Sequence, residues 1–150
     1  MDVKDNIGIV HDEEITKWSF VQKNKVINIA AEYIKKLTIR LHSLKQMLKT
    51  LSGGNQQKVI ISRFLSTQPK ILLMDEPTRG IDVGAKAEIY KIMRQLKSEK
   101  GKSLIVVSSE LEEIVAEADR VLVMRNGRIS GEVAGENITK EKVLNLAFTG

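Results

Sequence analysis

The chain has 150 residues, enough for one domain that buries about 70% of its unfolded surface, and a formal charge of +5, with 10 basic against 6 acidic side chains in residues 1–58. The absence of cysteine and the presence of only two histidines, His11 and His42, exclude disulfides, thiolate metal sites and a histidine cluster for zinc. No stretch approaches the roughly 18 apolar residues of a membrane span, and the Met1–Asp5 opening has no signal-peptide pattern, so a soluble intracellular chain is expected; the basic excess is too mild to call for nucleic acid.

Up to about Val26 the periodicity is poor, and order there is expected to depend on neighbouring segments. From Val26 to Leu44 the apolar positions Ile27, Ala30, Ala31, Ile34, Leu37, Leu41 and Leu44 recur at three and four, which predicts one amphipathic helix with Lys35, Lys36 and Arg40 on a solvated face. A second helix is expected after Leu51-Ser52-Gly53-Gly54, through Gln57, Val59, Ile60, Phe64 and Leu65 to the Pro69 boundary. The apolar run Ile71-Leu72-Leu73-Met74, closed by Asp75, Glu76 and Pro77, reads as a strand buried on both faces. A helical stripe at Ala85, Ile89, Ile92, Met93 and Leu96 follows. Then come a second buried strand over Ser103–Ser108, a short helix at Leu111–Ala118 and a strand at Arg120–Arg125. This β-α-β-α-β order predicts an α/β fold with a mainly parallel sheet and covering helices. Asn126-Gly127 between Val121–Met124 and Ile129–Val133 predicts one antiparallel hairpin, and a helix from Lys140 to about Phe148 closes the chain. No long linker divides it.

Ser52-Gly53-Gly54 at a helix start offers unpaired amides, little steric obstruction and the positive helix end, which suit an anionic oxygen. Taken alone, the same tripeptide is also an ordinary capped loop. Asp75 and Glu76 stand where α/β sheets place ligands, and adjacent carboxylates there can divide metal coordination from water activation, though a strand ending in Asp-Glu-Pro is also a common surface turn. No segment matches Gly-x-x-x-x-Gly-Lys-[Ser/Thr], the loop that wraps nucleotide phosphates, so a nucleotide site wholly within this chain is not expected. Ser109 and Glu112 have the spacing of a capping box for the Leu111–Ala118 helix.

Leu51-Ser52-Gly53-Gly54-Asn55-Gln56-Gln57-Lys58 resembles the signature motif of ABC-type ATPases, in the longer form found in the second nucleotide-binding domain of ribose, galactose and xylose importers. Ile71-Leu72-Leu73-Met74-Asp75-Glu76-Pro77-Thr78 resembles the Walker B strand of that family, and Arg79-Gly80-Ile81-Asp82-Val83-Gly84-Ala85-Lys86 its D-loop and following helix. The matches come in family order and, with the later strands, cover roughly residues 50 to 135. The resemblance implies a single partial P-loop NTPase domain over 1–150 without its N-terminal phosphate-loop subdomain. About 1–68 would be a helical signature part, 69–135 a core from Walker B to the hairpin, and 136–150 a C-terminal helix.

In the family two such domains sandwich ATP and Mg²⁺. The resemblance implies that Ser52, Gly53, Gly54 and Gln56 would contact the γ-phosphate of ATP held by a complete partner nucleotide-binding domain. Asp75 would hold the magnesium–water shell, Glu76 would act as general base, and Asp82 would lie at the domain seam. Where the family has a switch histidine the chain has Ser109, which offers no imidazole. The expected setting is the inner face of the cell membrane, beside permease subunits and, indirectly, a periplasmic or extracellular sugar-binding protein. The isolated chain is expected to be inactive. A docking or regulatory remnant of an ABC ATPase, and a nucleic-acid-handling ABC-like fragment, are the alternatives.

Overall fold

The computed structural model describes residues 1–11, 16–17 and 20–149. These form two compact units, Met1–Val106 and Val107–Gly150, and each is built around its own apolar cluster.

The first unit opens with α1 (Val3–Gly8), whose Asp2 cap accepts the Asp5 amide at 3.0 Å. Six residues are too few to hold a helix alone. Its order comes from burial of Val3 and Ile7, both fully enclosed, and from backbone bonds of Val3 N to Gln46 O and Lys4 N to Leu44 O. The weak periodicity before Val26 thus reflects a short element with two apolar anchors; residues 12–15 and 18–19 of that stretch lie outside the described residues. A two-residue antiparallel pair, β1 (Thr16–Lys17) with β2 (Phe20–Val21), precedes α2 (Lys23–Lys36).

Helix α2 is shorter than the apolar spacing predicts. It stops at Lys36, Thr38 takes a φ of +51°, and the Ile39 amide turns back to the Ile34 carbonyl. Leu37 and Ile39 are buried from this turn rather than from a helix face, so the three-and-four spacing past Leu37 belongs to a loop that happens to keep its apolar residues inward. The loop leads to α3 (Gly53–Leu65), which the Tyr33 hydroxyl ties to α2 by donating to the Leu65 carbonyl at 3.0 Å.

Strand β3 (Ile71–Asp75) is followed by α4 (Val83–Ser98) and β4 (Ser103–Val107), and β3 and β4 are neighbours in one sheet. Helix α4 buries Ile89, Ile92, Met93 and Leu96, the stripe the spacing predicted. The strands depart from expectation. Burial along β3 alternates: Leu72 and Met74 face the core, whereas Ile71 is 56% and Leu73 73% exposed. Ile105 on β4 is likewise 50% exposed. A continuous apolar run therefore marks a strand made for cover on both faces, of which one is covered within this unit.

The second unit holds α5 (Leu111–Glu117), the antiparallel pair β5 (Arg120–Arg125) and β6 (Arg128–Ala134), and α6 (Lys140–Thr149). Asn126 and Gly127 sit at φ +49° and +75°, as a primed two-residue turn requires. Val121, Val123, Ile138 and Val143 form its buried centre. Among the described residues β5 pairs with β6 alone, so the sheet occurs as two-stranded pieces.

Candidate functional site

Ser52 caps α3 in extended conformation (φ −61°, ψ 153°) and its side chain makes no cap bond. Instead its hydroxyl oxygen accepts from Asn55 Nδ2 at 2.9 Å. The first backbone bond of the helix runs from Gln56 N to Ser52 O, so the amides of Gly53, Gly54 and Asn55 precede it, as at any uncapped helix start. Ser52 and Gly53 are exposed and Gly54 is buried. Gln56 turns its side-chain amide back onto the Leu51 carbonyl at 2.8 Å, so within this chain it braces the loop before the helix.

The need for glycine at position 54 has a cause inside the unit. A Cβ there would lie 2.5 Å from the Ala85 Cβ, and one on Gly53 would lie 3.3 Å from Ile81 Cγ2. The start of α3 therefore nests against the start of α4. Asp82 caps α4, its carboxylate accepting the Ala85 amide at 3.0 Å. The structure thus brings Ser52, Gly53 and Gly54 beside the segment that carries Asp82.

Asp75 ends β3 with an exposed side chain, and Glu76 follows at φ +45°, a left-handed conformation that costs a non-glycine residue about 1–2 kcal/mol. The turn closes through Arg79 N to Glu76 O at 3.2 Å, with Pro77 and Thr78 enclosed beneath it. Among the described residues no group of three or more acidic or histidine side chains is assembled as a metal site. Asp75 and Glu76 suit Mg²⁺ chemically, since that ion keeps several waters and takes one or two carboxylates together with phosphate oxygens.

Ser109 lies in the second unit, exposed, two residues after β4. The capping box expected for Ser109 and Glu112 takes Ser109 as the cap residue. The helix starts one residue late for it, with Glu110 as cap. The Ser108 hydroxyl oxygen accepts the Glu110 amide at 3.1 Å and its proton goes to the buried Glu113 carboxylate. Glu112 faces away and pairs with Lys140 at 2.6 Å.

One residue stands out that spacing alone did not single out. Lys58 is 3% exposed. Its ammonium donates to the Thr38 carbonyl at 3.1 Å and lies 2.5 Å from Glu88 Oε2 on α4. The bond from Lys58 holds the Glu88 carboxyl below its ordinary value. The legible signal was phase: Gly54, Lys58 and Ser62 follow at intervals of four, which puts Lys58 on the inward face.

The sequence profile of the ABC transporter family matches residues 1–79. The chain is 45% identical over its whole length to the xylose import ATP-binding protein XylG of Thermoanaerobacter pseudethanolicus, of which it covers 30%. It is 46% identical over 98% of its length to the ribose import ATP-binding protein RbsA 2 of Escherichia coli O157:H7, of which it covers 29%. The chain thus spans under a third of these relatives, and the likeness takes in residues 1–49, beyond the motifs. Among solved structures, the ATP-binding cassette MJ1267 of an ABC transporter matches with a TM-score of 0.78 at 28% identity, over 97% of this chain and 62% of that one. An inward-facing metal-chelate type ABC transporter, at 21% identity and a TM-score of 0.84, shares the fold over 99% of this chain and 58% of that one.

Proposed function

The chain belongs to the ABC transporter family, and from that premise we propose that it is part of a sugar-importer ATPase, presenting the start of α3 to the γ-phosphate of ATP gripped by a complete partner nucleotide-binding domain. The single observation that carries the reading is the cap of α3. Ser52 spends its side-chain oxygen on Asn55 rather than on a helix amide, which leaves the first amides and the positive helix end for an anion.

In this reading Ser52 and the amides of Gly53 and Gly54 orient the terminal phosphate and favour the charge that develops there, with Gln56 supporting the loop. Magnesium, when bound, spreads phosphate charge. Asp75 would hold one of its waters, Glu76 would accept a proton from attacking water, and Asp82 would lie at the seam with the partner. Ser109 has no imidazole for a terminal phosphate, so the site on the Asp75–Glu76 side is the weaker of the two. Residues 1–150 are taken as one partial cassette. The names of the relatives support xylose or ribose as the sugar class; permease subunits as the direct partners, a sugar-binding protein as the indirect one, and a peripheral place on the inner membrane face belong to the same proposal. Among the described residues no helix is long and apolar enough to cross a membrane.

The test is ATP hydrolysis by this chain mixed with a complete nucleotide-binding domain. Gly54→Asp is a poor probe because any side chain there strikes Ala85. Ser52→Asp separates the effects: aspartate is as good a helix cap as serine, so the chain stays folded, while its charge opposes phosphate. The expected outcome is an unchanged thermal midpoint with stimulated hydrolysis reduced roughly tenfold or more. Undiminished hydrolysis would show that phosphate does not meet this helix end.

A further inference from the structure

We propose that Lys58 is a positioning residue, which together with Glu88 and the Thr38 carbonyl sets the start of α3 relative to the start of α4; the inference rests on the reading that this helix end meets phosphate. Lys58 stands one helical turn after Gly54, and Glu88 three residues after Ala85. Two successive rungs of α3 therefore meet two successive rungs of α4: Gly54 on Ala85 by close van der Waals approach, and Lys58 on Glu88 by an ion pair of 2.5 Å. The first contact limits how near the helices come. The second is directional and limits rotation and sliding.

A third segment closes the arrangement. The Lys58 ammonium donates to Thr38 O at 3.1 Å, and two residues on, the Arg40 amide donates to Asn55 Oδ1 at 2.9 Å. Asn55 in turn donates to the Ser52 hydroxyl. The Arg40 guanidinium stands 4.0 Å from the same Glu88 carboxylate. Thr38 holds a left-handed φ of +51° at this point, and its carbonyl enters the network. A path of hydrogen bonds thus runs from Glu88 through Lys58 and the 38–40 turn to Asn55 and Ser52, the residue at the phosphate-facing end.

A buried charge is a costly way to fill space. An ion pair with one member half exposed, as Glu88 is at 47%, adds little to stability, whereas its directional geometry specifies one arrangement. Lys58 at 3% exposure is therefore better explained by where it holds the helix start than by how much it stabilises it. Displacement of a phosphate-binding group by about 1 Å is enough to cost a hundredfold in rate.

The experiment uses the same mixture of this chain with a complete nucleotide-binding domain, with Ser52→Asp run in parallel. Lys58→Met keeps volume and removes the charge. The expected result is a lowered thermal midpoint, since the Thr38 carbonyl loses its donor and Glu88 its cation, with kcat of the folded fraction lowered about tenfold and KM for ATP within about twofold. Glu88→Gln, which keeps an oxygen for the lysine to reach, should retain kcat within about twofold. A role in folding alone would lower the midpoint and leave kcat of the folded fraction intact. If Lys58→Met keeps full kcat while Ser52→Asp abolishes hydrolysis, the positioning role is overturned and the phosphate reading stands. If both variants hydrolyse normally, the phosphate reading itself fails. Should Lys58→Met not fold, Glu88→Ala at the half-exposed end of the pair decides by the same kcat and KM comparison, a normal kcat overturning the inference.

Discussion

Ser62 lies on the inner face of α3 with none of its surface exposed, and its hydroxyl has no hydrogen-bond partner among the described residues. Leaving a hydroxyl dry and unbonded costs about 1–3 kcal/mol, while removing one oxygen opens only a small void. Ser62→Ala should therefore raise stability by about 1 kcal/mol, read as a higher denaturant midpoint at constant slope; a loss would reveal a bond made by that oxygen. Gly54 shows the opposite balance. Helix propensity favours alanine over glycine by about 1 kcal/mol, but a Cβ 2.5 Å from Ala85 forces the helices apart, and overpacking of that kind costs about 1–3 kcal/mol. Contact outweighs propensity, which is why glycine at this position has a structural cause as well as a proposed functional one.

The contact of α3 with α4 depends on acid. The Lys58 bond holds the Glu88 carboxyl below its ordinary value of 4.5, with nearby Arg40 adding to the effect and Asp82 opposing it. A depressed carboxylate contributes in full above its unfolded value and loses that contribution as pH falls through the folded one. Stability should accordingly decline below about pH 4.5 more steeply in the wild-type chain than in Glu88→Gln. The difference should stay within about 1 kcal/mol, since the Glu88 side chain is 47% exposed and water screens it. Thermal midpoints measured from about pH 6 down to about pH 3 at low salt check this, and parallel curves would remove Glu88 from the acid response.

At the scale of the whole chain, the open β3 face is expected to drive self-association of the isolated chain. Ile71, Leu73 and Ile105 are each at least half exposed in the first unit, an apolar surface of the kind that drives association. Leu73→Thr keeps strand propensity and removes the most exposed of the three. It should lower concentration-dependent light scattering of the isolated chain while changing unfolding stability by no more than about 0.5 kcal/mol. Scattering that does not fall would place the association surface elsewhere.

The local order of elements was legible in the residues. The α4 stripe, the Asn126-Gly127 turn, the closing helix and the glycine-led start of α3 all follow from periodicity and backbone sterics, which act over a few neighbouring residues. The motif order from Ser52 to Asp82 pointed to the family for the same reason, being a short-range pattern. The end of α2 at Lys36, the alternating burial of β3, the bond of Ser108 to Glu113, and the burial of Lys58 were settled by packing. Each depends on which distant segment lies against the residue: Ile34 and Ile39 around a left-handed Thr38, a core on one side of β3, Glu113 within reach of Ser108, and Glu88 opposite Lys58. A one-dimensional pattern states that a side chain is charged or apolar; only the tertiary structure supplies the partner that decides whether its burial is tolerated.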